Sequence, residues 1–433
     1  MSVSACIYAA RYLVPGDAPP IEGGALLAVD GRIMGRGPLG EMKKSHPGVP
    51  VVDYRDAFIV PLFVNAHTHL ELSDFPDWAR ESGVALTPSS FVDWILRLIK
   101  VKSGVDKNAY DSSLVHGIEM SILSGTGAVG DILAHHAART AYRDCALEGT
   151  LFLETLGQDP ALIPRLEERL KTALEDKRVE RLTLGVSPHS PYTCSADYLQ
   201  RLYAHCRREK ILCSTHLAES PEETTLVEQG RGPMASEFYP FVGWENFVPR
   251  ARGQRPVQYL QEQGGLFPQN LLVHGVQLND GEIKLLAQQR MSLVLCPRSN
   301  ACLKVGKAPA GKLFRAGVKL SLGTDSLASN DSLSLWDEMA FAADWFAGEL
   351  DAPTLFQLAT QGGAEALALE DRLGSLAVGK QAGFQVLKAE SAVAQKDIFD
   401  YFIAPDRQQD LVQVYQHGQP CLTAKESAAG RTV

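Results

Sequence analysis

Short apolar runs with strand character recur along the middle of the chain, separated by longer segments with helical patterning. The runs that read as strands are Phe58–Ala66, Gly127–Leu133, Thr150–Leu156, Leu182–Ser187, Ile211–Thr215, Leu271–Val276, Ser292–Cys296 and Val318–Gly323. Most intervening segments are long enough for a helix, and Pro164–Leu174 is amphipathic. Alternating strands and helices imply right-handed crossovers and a parallel sheet. Eight such units predict an α/β fold built on a closed (β/α)8 barrel of the TIM type, with insertions. An open doubly wound sheet is the rival, but no Gly-x-Gly-x-x-Gly follows the first strand.

The flanks are patterned differently. Ala5–Leu13 and Gly24–Val29 read as short strands, with Asp30-Gly31 as a turn. Phe384–Leu387 and Leu411–Tyr415 read the same way near the other end. Chain ends commonly lie close together, so both flanks are expected to build one small domain. The expected organisation is a composite β-sandwich from residues 1–56 and 376–433, with the barrel spanning 57–375.

Composition narrows the class. Of 433 residues, 45% are hydrophobic and 21% charged, which is ordinary for a globular protein, and the net charge of −9 argues against a general nucleic-acid binder. No apolar stretch reaches the roughly 20 residues of a membrane span. The first residues, Met1-Ser-Val-Ser-Ala-Cys-Ile-Tyr8, lack a charged start and an apolar block, so a cytoplasmic location is expected. The eight cysteines form no Cys-x-x-Cys pair, and free thiols are expected rather than disulfides or a cysteine zinc site. The expected partner is a small-molecule substrate, with no nucleic acid and no membrane. A homo-oligomer is possible, although no patch in the sequence demonstrates one.

A barrel of this kind gathers its active site at the C-terminal ends of the strands. His67 and His69 close the first run, and strand side chains at i and i+2 share a face. His189 follows the fourth run, His216 and Glu219 the fifth, His274 the sixth, Arg298 the seventh and Asp325 the eighth. The chain has eleven histidines, and five of them fall at or just past these ends. A lone strand-end histidine is usually a hydrogen-bonded structural residue, but four independent ends rarely agree by accident.

Three neutral imidazoles and a carboxylate suit one divalent metal ion, Zn2+ or Fe2+, which can bring the pKa of water to ~7. His67, His69, His216 and Asp325 are the ligand candidates, although Asp325 also fits a helix N-cap. Glu219 reads as a carboxylic acid that moves protons at the barrel mouth, or as a surface residue beside Glu222 and Glu223. His274 is placed to hold the attacking water or the developing oxyanion. His189 reads as a substrate contact or a rim histidine. Cys296 ends a buried strand before Pro297 and is not needed as a nucleophile.

The motifs Pro61-Leu-Phe-Val-Asn-Ala-His-Thr-His69, Pro188-His-Ser-Pro-Tyr-Thr-Cys194, Thr215-His-Leu-Ala-Glu219, His274-Gly-Val-Gln-Leu278, Cys296-Pro-Arg-Ser-Asn300 and Leu322-Gly-Thr-Asp325 together resemble the amidohydrolase superfamily, in its cytosine-deaminase and chlorohydrolase branch. The resemblance covers nearly the whole chain. It implies one metal on His67, His69, His216 and Asp325, proton shuttling by Glu219 and His274, and a split β domain at the termini. The fourth run carries no lysine, so the dinuclear carboxylated-lysine site of other branches is not expected. Within the branch, His69-Leu-Glu-Leu-Ser73, Ser89-Ser-Phe-Val-Asp-Trp94 and Asp325-Ser-Leu-Ala-Ser-Asn330 are similar to the aminodeoxyfutalosine deaminases of menaquinone biosynthesis.

The expected activity is hydrolytic release of ammonia from an aminopurine nucleoside, with Glu219, His274 and Asp325 as the catalytic set. Glu154 and Arg298 are candidates for the substrate end, each equally readable as an internal ion pair or cap. The same site would serve other adenosine derivatives, guanine or cytosine, or a chlorotriazine. A catalytically dead binding barrel would lack a ligand or the acid, and neither is missing.

Overall fold

The structure is a computed structural model and describes residues 5–143, 145–176, 181–388 and 393–421. Eight strands form one parallel sheet in chain order: β1 (Phe63–Thr68), β2 (Thr126–Leu133), β3 (Glu148–Thr155), β4 (Leu182–Pro188), β5 (Cys213–Leu217), β6 (Asn270–His274), β7 (Ser292–Leu295) and β8 (Lys319–Leu322). The ring closes at its C-terminal end. There Thr68 bridges to Asp325, and the Asp325 N–H donates to the His67 carbonyl at 3.1 Å. Gly323 permits this approach, because a Cβ on it would stand 2.8 Å from the His67 carbonyl oxygen. The α/β barrel expected from the strand rhythm is therefore the observed fold.

Two smaller sheets complete the molecule. One has four strands and holds Ala5–Ala9, Gly24–Val29, Arg32–Pro38 and Val51–Asp53. The other has six strands and combines Tyr12–Leu13, Ile21–Glu22 and Ala57–Pro61 with Phe384–Lys388, Leu411–Gln416 and Gln419–Pro420. They share one core, in which Tyr8 and Leu26 of the first meet Ile59 and Phe384 of the second. Asp30 and Gly31 have φ of +47° and +77°, the two left-handed residues that a type I′ hairpin turn requires.

The sequence reading needs correction at the first strand. Phe58–Ala66 is not one strand. Ala57–Pro61 pairs antiparallel with Phe384–Lys388 in the six-stranded sheet, and the barrel begins at Phe63. Both segments are buried at every position, so the apolar run shows no break. Pro61 is the one punctuation mark. For the same reason Ala5–Leu13 divides between the two small sheets. The fifth strand starts and ends two residues later than predicted, and its later end, Leu217, places His216 inside β5.

The small sheets attach to the N-terminal end of the barrel. Glu148, at the start of β3, accepts from His417 Nε2 at 2.9 Å and faces Arg372 at 3.2 Å. Gln416 Nε2 donates to the Gly127 carbonyl at 2.7 Å. This leaves the C-terminal mouth free for the segments that cover it, chiefly the helix Phe91–Gly104 and the stretch around Phe238. Ser90 caps that helix by accepting from the Asp93 N–H, and its apolar side packs Phe91, Val92 and Ile95 against Tyr192 and Phe238. Among the described residues no helix is long and apolar enough to cross a membrane.

Candidate active site

The strand ends bring five imidazoles and three carboxylic groups together at the mouth. His67 lies at the centre. Its ring centroid is 5.0 Å from His69, 4.9 Å from His216 and 5.8 Å from His274. His69 Nε2 stands 3.4 Å from His216 Nε2. Asp325 Oδ1 is 3.7 Å from His67 Nε2 and 3.6 Å from His69 Nε2. Two three-residue groups are tight enough to share an ion: His67, His69 and Asp325, and His67, His216 and His274. His274 thus belongs geometrically to the cluster, whereas the sequence suggested that it holds the attacking water or oxyanion and shuttles protons, not that it is a ligand.

The donor set fits a metal. His67 is fully buried, yet neither of its ring nitrogens has a hydrogen-bond partner among the described residues. An unpaired buried polar group costs roughly 1–3 kcal/mol. A bound cation would satisfy one of the two nitrogens, Nε2, the one that faces Asp325. The neighbours set the tautomers: His216 Nδ1 donates to the His189 carbonyl at 2.9 Å, which leaves Nε2 facing His69. Burial, followed by the surrounding imidazoles, holds His69 and His216 well below the ordinary histidine range, so both are neutral at pH 7. Burial alone would raise the Asp325 carboxyl, but its approach to His67, foremost, and the electrostatics of the surrounding imidazoles hold it well below the usual carboxylate range.

Glu219 is handled in the opposite way. Burial, reinforced by the charges of Asp325, Glu223 and Glu222, pushes its carboxyl well up, which favours the protonated form. Its Oε1 lies 3.6 Å from His274 Nε2. The bend that presents it is held by Glu223, whose carboxylate accepts from the Ala218 and Glu219 N–H groups at 3.0 and 2.7 Å. His274 is neutral, its pKa brought down to about 4, first by burial. Ala218, His274 and Asp325 all have left-handed backbone, with φ of +52°, +74° and +58°. Non-glycine residues hold that conformation only where their surroundings enforce it, and such residues cluster at working sites.

The cluster forms the floor of a cavity of about 540 Å3. That volume suits a small molecule larger than a bare nucleobase. Its walls are mainly apolar and aromatic, with Trp94, Leu98, Phe238, Val242 and Trp244. Polar groups enter from one side. Glu154 Oε1 is buried without a partner, 4.0 Å from His189 Nε2, and Lys102 lies nearby, 3.9 Å from Glu71. His189 lines the cavity, lies 4.8 Å from His216 with the two rings tilted, and is held neutral by burial, with its pKa down to about 4.

The structure therefore brings His67, His69, His189, His216, Glu219, His274, Asp325 and Glu154 to one place. It does not bring Arg298 there. That guanidinium bonds Asn330 and Asp331, while its backbone N–H donates to the buried Glu338, so it fits the ion-pair reading. The sequence reading missed Lys102, Tyr110, Phe238 and Trp244, which line the cavity from helices and loops over the mouth. Only Trp94, inside a quoted motif, left a signal.

The sequence profile of the amidohydrolase family matches residues 58–415. The chain belongs to the amidohydrolase family. It is accordingly a hydrolase acting on C–N bonds, of a family that usually binds a divalent metal. Similar relatives are a 5-methylthioadenosine/S-adenosylhomocysteine deaminase of Thermodesulfovibrio yellowstonii, 28% identical over 92% of this chain and 88% of that protein, and an aminodeoxyfutalosine deaminase of Deinococcus radiodurans, 30% identical over 78% and 80%. A zinc-bound adenosine deaminase structure from Xanthomonas campestris is 25% identical, covers 98% of this chain and 95% of its own, and superposes with a TM-score of 0.76.

Proposed function

We propose that this amidohydrolase is a metal-dependent deaminase of adenosine-like nucleosides. The observation that carries the reading is the buried His67, without a hydrogen-bond partner among the described residues and ringed by imidazoles and Asp325, with Glu219, a carboxyl that burial pushes up, beside it. His67, His69, His216 and Asp325 would hold one divalent cation, Zn2+ or Fe2+. When bound, the cation supplies Lewis acidity that brings the pKa of water to ~7.

The chain's own groups do the rest. Glu219 delivers its proton to the ring nitrogen beside the carbon that bears the exocyclic amine, which makes that carbon electrophilic. Water adds to the same carbon, and His274 Nε2, which is unprotonated, holds the incoming oxygen through its hydrogen. The proton lost from that water passes to the amine. Ammonia leaves as the remaining hydroxyl proton returns to Glu219, and the ring keeps a carbonyl in place of the amine. His189 and Glu154 face the part of the cavity next to the metal cluster, where a purine edge and its sugar would lie.

Among adenosine-like substrates we favour 6-amino-6-deoxyfutalosine, and with it a place in menaquinone biosynthesis. The motifs around Leu70–Ser73 and Ser89–Trp94, the Deinococcus relative and an aromatic wall suited to an aryl arm support this choice. The methylthioadenosine and S-adenosylhomocysteine reading is the neighbour, supported by the Thermodesulfovibrio relative. Ammonia release by metal-loaded protein from a panel of both substrate types, adenosine, cytosine, guanine and a chlorotriazine separates them. A response to the bases or the triazine, with none to the nucleosides, would refute the proposal.

A further inference from the structure

The turn after β7 places two consecutive side chains on two different working groups. Ser299 and Asn300 lie in the short helix Pro297–Cys302, and both are buried. Ser299 Oγ donates to Asp325 Oδ2 at 2.6 Å. Ser329 Oγ stands 2.9 Å from the same carboxylate oxygen and 2.9 Å from Ser299 Oγ. With one proton on each hydroxyl, Oδ2 receives at least one donor under either arrangement. Oδ2 is thereby occupied on the serine side, and Oδ1 is the oxygen that faces His67 and His69.

Asn300 acts on the other side of the site. Its Oδ1 lies 3.0 Å from His274 Nδ1 and accepts that proton. His274 Nε2, on the far edge of the ring, is then left without a proton and faces Glu219. Asn300 Nδ2 has no partner among the described residues, so His274 is the group the amide holds. The two loops are tied together by Glu338, which is fully buried. Its oxygens accept from the Arg298 N–H at 3.0 Å and from Asn330 Nδ2 at 3.2 Å. Asn330 Nδ2 also reaches the Thr324 carbonyl at 2.8 Å, beside Asp325.

We infer that Ser299 and Asn300 are positioning residues with separable tasks. Ser299, supported by Ser329, decides which oxygen of Asp325 turns toward the metal. Asn300 decides which nitrogen of His274 carries the proton. Both held residues, Asp325 and His274, also have left-handed backbone, with φ of +58° and +74°. The inference rests on the metal-site reading, but two of its readouts need no substrate.

The test compares Ser299→Ala and Asn300→Ala in the full chain loaded with Zn2+. Chelator competition reads zinc affinity, nitrogen NMR of histidine-labelled protein reads the His274 tautomer, and kinetics read kcat against KM. Ser299→Ala is expected to weaken zinc binding ~10–100-fold and leave the His274 tautomer alone, with Ser299→Thr restoring affinity. Asn300→Ala is expected to mix the His274 tautomers and lower kcat ~10–100-fold at unchanged KM, with zinc affinity kept and Asn300→Asp restoring the tautomer. The inference is overturned if each variant moves both zinc affinity and tautomer, if neither moves either, or if the only change is a lower Tm. Absence of deaminase activity in the wild type would refute the proposed function, while zinc affinity and tautomer would still judge this inference.

Discussion

Each end of the barrel buries a glutamate beside a histidine, and the two pairs are treated in opposite ways. At the base, Glu148 meets His417 at 2.9 Å, and Arg372 and Gln381 complete its shell. Burial alone would raise that carboxyl, but the partners, His417 first, bring it below its ordinary value. At the mouth, Glu219 and His274 stand 3.6 Å apart with no hydrogen bond between them, and burial drives Glu219 up and His274 down. The base pairs Glu148 with His417, Arg372 and Gln381 and joins the barrel to the small sheets. The mouth leaves His67 and His274 Nε2 unpaired and holds its backbone in left-handed turns. One barrel thus commits similar residues to cohesion at one end and to reactivity at the other, which is the division expected of this architecture.

The largest expected effect comes from emptying the mouth. His67→Ala should abolish metal retention, read by elemental analysis of purified protein, and turnover should go with it. Metal lost equally from Glu148→Ala would erase the contrast between the two ends. Next, Glu219→Gln keeps the shape but removes the deliverable proton. Turnover should fall ~10²–10⁴-fold at unchanged metal content and Tm. The matching change at the base, Glu148→Gln, should leave turnover alone and lower stability by about 1–3 kcal/mol in denaturant melts, because charged partners lose their acceptor. Equal losses of turnover in the two variants would contradict the division.

The smallest effect is in pH. His189 and His274 sit at about 4 in the folded protein, with burial the main cause. Unfolded histidine titrates near ~6.5, so the unfolded chain takes up more protons as pH falls from 7 to 5, and Tm should drop across that window. Glu148 behaves differently. Its folded pKa is lowered, so its contribution is present above the unfolded value and is lost only as pH falls through the folded one. The 7-to-5 slope should therefore survive Glu148→Gln and shrink in His189→Gln.

Much of this contrast was legible in the sequence. The strand rhythm read through to the eight-stranded barrel, and the histidines stood out because strand ends concentrate a scarce residue. Boundaries were not legible where burial is two-sided, as at Pro61, since a continuous apolar run serves two sheets equally well. Arg298 looked like a substrate contact because it neighbours the site in sequence. Its side chain turns to Asn330 and Asp331 instead, a direction that depends on the loop after β8. Lys102 and Trp244 were hidden for a related reason. They come from segments folded over the mouth, and no local pattern records which face of a covering helix meets a cavity.

The most direct measurement is ammonia release from 5′-methylthioadenosine and 6-amino-6-deoxyfutalosine by metal-loaded protein, with Glu219→Gln run beside the wild type. The expected result is one ammonia for each aminopurine converted to the oxopurine, with Glu219→Gln slower by ~10²–10⁴-fold. No ammonia from the wild type, or equal rates in the two proteins, would contradict the account.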